Sequence, residues 1–143
     1  MAMDRPLIGL GAIVFRGDDV LMIRRAKPPR QGQWAIPGGR QERGETIHEG
    51  AVREVLEETA VTCRIGGLVD VVDSIGRDDD GAILWHYTLV DLWAEWVAGE
   101  AQGGSDALEA AWFAPGDFDG IELWPETRRV IDLARQLRAA ARP

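Results

Sequence analysis

Apolar and polar positions along the chain change their period several times, and each change marks an element. Residues 7–15 form a glycine-containing apolar run and residues 20–23 a second one, separated by the turn-like Gly17, Asp18 and Asp19. This order predicts a β-hairpin. The following RRAKPPRQGQ stretch carries two prolines and four basic residues between Arg24 and Arg30, and is expected as an exposed loop. Trp34, Ala35 and Ile36 make a short apolar stretch ending at Pro37, Gly38 and Gly39, where the backbone is free to turn sharply.

Residues 46–59 are rich in helix formers, interrupted only by Gly50, and predict a helix. Residues 61–73 and 82–97 have strand character and are expected to pair antiparallel across the polar turn at 77–81. A loop is expected over 99–106, a short strand over 108–113 and a turn over 115–120. Pro125 suits a helix start, and Val130, Ile131, Ala134 and Leu137 recur behind it at helical spacing. No internal repeat, low-complexity tract or linker divides the chain, so residues 1–143 are read as one domain.

On a wheel of about 100° per residue, Glu54, Glu57 and Glu58 share one arc of the first helix. Val52, Val55, Leu56 and Thr59 fill a separate arc, expected to face the core, and Gly50 is expected to leave room beside the carboxylates. Like charges at this spacing destabilise an isolated helix by a few tenths of a kcal/mol per pair. Arg53 can neutralise one glutamate but not three, and a hard divalent cation such as Mg²⁺ or Mn²⁺ is the other physical remedy. Three glutamates alone are more often a solvated acidic face than a metal site.

Composition narrows the function classes. Of 143 residues, 45% are hydrophobic, which suffices for a substantial core. The formal net charge of −8 opposes a broad nucleic-acid interface, although a metal ion and a few arginines can reverse the sign within one pocket. No apolar run approaches the ~18 residues needed to cross a bilayer, so no membrane association is expected. Cys63 is the single cysteine, which excludes an internal disulfide and suits a reducing, cytoplasmic setting.

The larger pattern of Gly39, Glu45 and then Arg53-Glu54-Val55-Leu56-Glu57-Glu58-Thr59-Ala60-Val61 closely resembles the signature of the Nudix hydrolases. Every charged position of that box is met. The one departure is Ala60, standing where the family usually has glycine; a left-handed alanine there costs ~1 kcal/mol or more, and no metal ligand is lost. Residues 32–39 and the late ALEAAWF segment at 107–113 extend the resemblance over most of the chain.

The resemblance implies an α/β/α sandwich of the α+β class, a mixed sheet between helices with a loop–helix–loop catalytic motif. It implies metal-dependent hydrolysis of a nucleoside diphosphate linked to another moiety. Glu57, Glu58 and Glu54 would hold Mg²⁺ (or Mn²⁺), with a backbone carbonyl near Gly38 and Gly39 completing the shell. Glu45 and Arg53 would brace the motif as an ion pair. Arg24, Arg25, Lys27 and Arg30 are candidates for phosphate contacts. Either a helix carboxylate or Glu109 would serve as general base. His48, near the apolar arc, is read as a packed or half-exposed residue and His86, in a Trp-rich strand, as a sheet residue, rather than as ligands.

Most of the six tryptophans are expected in the core or at a subunit contact, and strands apolar on both faces suggest a homodimer. The substrate pattern resembles bacterial ADP-ribose pyrophosphatases, although the proline that marks some of them past the box is absent from SIGRDDD. A nucleoside triphosphate pyrophosphohydrolase acting on oxidised or non-standard nucleotides, and a nucleotide-binding module without turnover, are the alternative readings.

Overall fold

The computed structural model describes residues 4–142. Strands β1 (Leu7–Arg16), β2 (Asp19–Arg25), β3 (Trp34–Ala35) and β4 (Gly38–Arg40) lead into helix α1 (Ile47–Thr59). Two 16-residue strands, β5 (Thr62–Arg77) and β6 (Ile83–Ala98), then pair antiparallel. Strand β7 (Ala107–Phe113), a 3₁₀ turn at Pro115–Phe118 and helix α2 (Pro125–Ala141) complete the chain. No helix among the described residues is long and apolar enough to cross a membrane.

Strand β1 explains the layering. Leu10, Ala12 and Val14 pack toward α1, alongside Ala51 and Val55, whereas Ile13 and Phe15 pack toward α2, alongside Val130, Ile131 and Ala134. Alternate side chains on a strand point to opposite faces, so a strand apolar at every position must be covered on both sides. Two helices on opposite faces of one mixed sheet meet that demand. The sheet runs β3-β2-β1-β6-β5, with β4 also on β1 and β7 also on β2.

The β1–β2 hairpin forms, but only Phe15↔Val20 and Arg16↔Asp19 pair within it. Beyond those pairs the strands part. Strand β1 runs parallel to β6 from Leu7↔Tyr87 to Phe15↔Glu95, and β2 pairs with β7. Residues 34–40 wedge into the opening: β3 bonds to β2, β4 bonds to β1, and Ala12 N–H donates to Pro37 O at 3.0 Å. The splay of β1 from β2 therefore brings the glycine turn to the middle of the sheet. Arg24 and Arg25, expected in a loop, instead end strand β2, because pairing with β7 and β3 carries the strand beyond its apolar residues.

Candidate active site

Helix α1 begins at a capping box. Thr46 Oγ1 accepts from Glu49 N–H at 3.1 Å, and Thr46 N–H donates back to Glu49 Oε1 at 3.2 Å. Its buried stripe is Gly50, Ala51, Val55, Glu58 and Thr59. The expected apolar arc is thus rotated: Leu56 is 50% exposed, and Glu58, at 4%, takes a place in the interior. A buried carboxylate needs a partner. Gly38 N–H supplies one, donating to Glu58 Oε1 at 2.7 Å.

Glu54, one turn earlier, lies against Gly39 so closely that a β-carbon on that residue would overlap its carboxylate. The expected space beside Gly50 is absent, because Leu10 and the Glu45 carboxylate fill it. His48 is exposed rather than packed, while His86 takes its expected sheet position opposite Ile75.

Arg53 organises the rest. Its Nε and Nη2 donate to both oxygens of Glu45 at 2.9 and 2.7 Å, the bracing pair the motif implied. Its Nη1 reaches Glu54 at 2.9 Å and Glu57 at 3.1 Å, and Nη2 also bonds Arg40 O at 3.1 Å. Hydrogen bonding to Arg53 pulls the Glu45 pKa down to about 2. Burial has the opposite effect on the other two acids: it raises Glu54, and it raises Glu58 to about 7.

The structure also brings up two groups from distant segments. Asp106, at the end of the loop before β7, is close enough that its charge raises the pKa of both Glu54 and Glu58, while Arg25 lowers that of Glu58. Arg25 therefore stands beside the acids as expected. Asp106 was missed, and no local signal marks it: it is one polar residue in a polar loop. Backbone bonds position that loop, with Gln102 N–H donating to Thr59 O at 3.0 Å and Ala26 N–H to Asp106 O at 3.0 Å. Arg24 and Glu109 face each other across β2 and β7 at 3.1 Å, so Glu109 is engaged by a cation.

The donor set suits a hard cation: two desolvated carboxylates, Glu54 and Glu58, a third on the same helix arc, and the Gly38–Gly39 turn packed against them. In the present arrangement no three acidic, histidine or cysteine side chains among the described residues converge as a metal cage. Arg53 Nη1 instead donates to both Glu54 and Glu57. A cavity of about 150 Å³ lined by Pro115, Phe118 and Arg128, and one of about 480 Å³ beside Arg5 and Arg43, contain none of Glu54, Glu57 and Glu58.

A NUDIX domain family model matches residues 5–134. An ADP-ribose pyrophosphatase of Methanocaldococcus jannaschii is 34% identical over 108 residues, covering 76% of this chain and 62% of that protein. An 8-oxo-dGDP phosphatase of Mus musculus is 48% identical over 105 residues, covering 73% of this chain and 31% of that one. This chain thus spans less than two thirds of either relative. A crystal structure of a MutT NUDIX hydrolase from Burkholderia pseudomallei superposes with a TM-score of 0.77 at 27% identity, covering 91% of this chain and 98% of that chain.

Proposed function

Because this chain belongs to the NUDIX family, we propose that it is a divalent-metal-dependent hydrolase of the pyrophosphate bond in a nucleoside diphosphate linked to another moiety, with ADP-ribose or a related nucleotide sugar as substrate. The observation that carries this reading is the placing of Glu54 and Glu58 against the Gly38–Gly39 turn, two carboxylates held out of water with too little positive charge around them. Glu54, Glu57, Glu58 and the Gly39 carbonyl would hold Mg²⁺ or Mn²⁺. When bound, the metal supplies charge neutralisation on the diphosphate and an activated water.

The chain's own residues do the positioning. Arg53 retains Glu45 through two bonds when Glu57 leaves it, so the helix start stays braced while a carboxylate is released. Arg25, beside Glu58, and Arg24 offer guanidinium groups to the phosphates. A helix carboxylate takes the proton of the attacking water. Glu109 becomes available for that role only if a phosphate draws Arg24 away from it.

A homodimer in the cytoplasm belongs to the same reading, supported by Leu68, Val71, Ile75, Ile83 and Leu84, which are exposed along β5 and β6. Hydrolysis of oxidised or non-standard nucleotides is the second reading, favoured by the similarity to the murine 8-oxo-dGDP phosphatase.

The test is product release from ADP-ribose, other nucleotide sugars, diadenosine compounds and oxidised dNTPs, with and without Mg²⁺. AMP from ADP-ribose, only with metal, is the expected result. Turnover confined to oxidised nucleotides would select the second reading, and turnover of none would leave a binding module. A Glu57→Gln variant should keep its fold and lose most turnover; full activity would remove Glu57 from the metal site.

A further inference from the structure

Strand β5 ends the sheet: its inner edge pairs with β6, and no strand among the described residues pairs with its outer edge. An open edge is a row of unpaired N–H and C=O groups, and proteins blunt such edges with bulges or charges. The first half of β5 is blunted in this way, since the register shifts at Ile65/Gly67 and Leu68/Asp70 each leave one extra residue on β5. The second half is not. From Asp70↔Asp91 to Gly76↔Trp85 the pairing is regular, and the shift at Gly76/Arg77 puts its extra residue, Leu84, on β6.

The direction of the open groups follows from one bond. Val71 N–H donates to the carboxylate of its neighbour, Asp70 Oδ1, at 2.8 Å, so it is spent away from β6 and closes the edge at that point. Backbone groups alternate along a strand, so those of Asp73, Ile75 and Arg77 also point outward, where no strand among the described residues receives them. Their side chains stand on the face that carries α1, because Val71 lies opposite Val90, which packs with Leu10 and Ala51. Asp73 and Arg77 are exposed, and Ile75 is 44% exposed. On the other face Ser74 and Gly76 are covered by Trp85, whose Nε1 donates to Ser74 Oγ at 3.3 Å, so that face offers an arriving strand only small side chains at the edge.

We infer that β5 is a homodimer interface, in which the outer edges of two copies pair antiparallel about a two-fold axis at Ile75 and join the two sheets. This rests on the homodimer included in the reading above and adds which surface makes it. Spacing selects the occupant. Asp73 and Arg77 lie two residues either side of Ile75, so a partner centred on Ile75 sets Asp73 of each copy opposite Arg77 of the other. A centre at Ser74 would set Asp73 opposite Ile75, and a centre at Asp73 would oppose two like charges. The pairing at Ile75 gives an apolar pair flanked by two ion pairs, with about six backbone hydrogen bonds between the copies. Charges that repel an arbitrary edge therefore favour a second copy of this one.

Sedimentation velocity of the full chain over about 1 to 200 µM reads the association, since an edge this short is expected to give a reversible dimer rather than an obligate one. Wild type should dimerise. Asp73→Arg places like charges opposite each other at both ends of the pairing and should raise Kd by about tenfold or more. Adding Arg77→Asp exchanges the ion pairs and should bring Kd back to within a few-fold of wild type. Ile75→Pro, which removes an outward N–H and spares the β6 side, should also raise Kd. Circular dichroism checks the fold of each variant, and none of these residues belongs to the proposed metal or phosphate site. If Arg77→Asp disturbs the fold through loss of the Arg77 bond to Gly81 O, Asp73→Arg and Ile75→Pro decide by themselves. A dimer that Asp73→Arg leaves unchanged would overturn the edge pairing and put the homodimer on another surface; a double variant no tighter than Asp73→Arg would overturn the register. A monomer at every concentration would overturn the pairing and the homodimer together, and none of these outcomes bears on the proposed hydrolysis.

Discussion

Gly38 N–H donates to Glu58 Oε1 at 2.7 Å, joining the turn that enters the helix to the one acid the helix buries. A glutamine of the same length can accept this bond without bringing a charge. Glu58→Gln is therefore expected to fold normally and to lose turnover by two orders of magnitude or so, as expected when a metal carboxylate is neutralised. Above pH 7 its unfolding free energy should exceed that of wild type, since wild type must then hold a desolvated anion. Denaturant unfolding beside steady-state turnover checks both halves; a destabilised variant would mean that Glu58 is mainly structural.

Ala60 closes α1 in the left-handed conformation, with φ 62° and its N–H donating to Leu56 O at 3.0 Å. That is the geometry for which glycine is suited. Ala60→Gly should stabilise the protein by about 1 kcal/mol and raise its melting temperature by roughly 3 °C, measured by calorimetry. A fall in melting temperature would show that the alanine methyl group packs usefully enough to offset the backbone strain.

Asp91 sets a pH dependence whose sign follows from its burial. Its ordinary pKa of 3.8 rises to about 7 in the folded chain. Below pH 4 both states are protonated and the group contributes no difference. Between pH 4 and 7 the unfolded chain releases the proton that the folded chain keeps, so stability falls as pH rises, by up to ~4 kcal/mol in all. Asp91→Asn lacks this titration. Its advantage over wild type should open between pH 4 and 7 and stay constant above, as urea midpoints taken along a pH series would reveal.

Asp106 faces Glu54 and Glu58 from a separate segment, tethered by Lys27 at 2.9 Å. Its negative charge should favour a cation held between those acids. Asp106→Asn is expected to raise the Mg²⁺ concentration for half-maximal turnover several-fold, with little change in melting temperature. A metal titration with an unmoved midpoint would place Asp106 outside the site.

Local order along the chain already determined the helix carrying Glu54, Glu57 and Glu58, the Glu45–Arg53 brace, the left-handed exit at Ala60 and the succession of strands. Each depends on residues within a turn or two of one another, or on periodicity inside one element, and such short-range chemistry is written in the sequence itself. Tertiary structure alone decided that β1 lies parallel to β6 and splays from β2, because pairing partners are chosen by which faces must be covered. It decided that Glu58 rather than Leu56 turns inward, because the amide that satisfies Glu58 comes from β4. It also brought Asp106 to the acids and Asp91 over Gly11, residues 48 and 80 positions from their neighbours Glu58 and Gly11 (106 − 58 and 91 − 11). Burial and charge coupling act through space, so neither residue could be distinguished from an ordinary surface aspartate until the chain had folded.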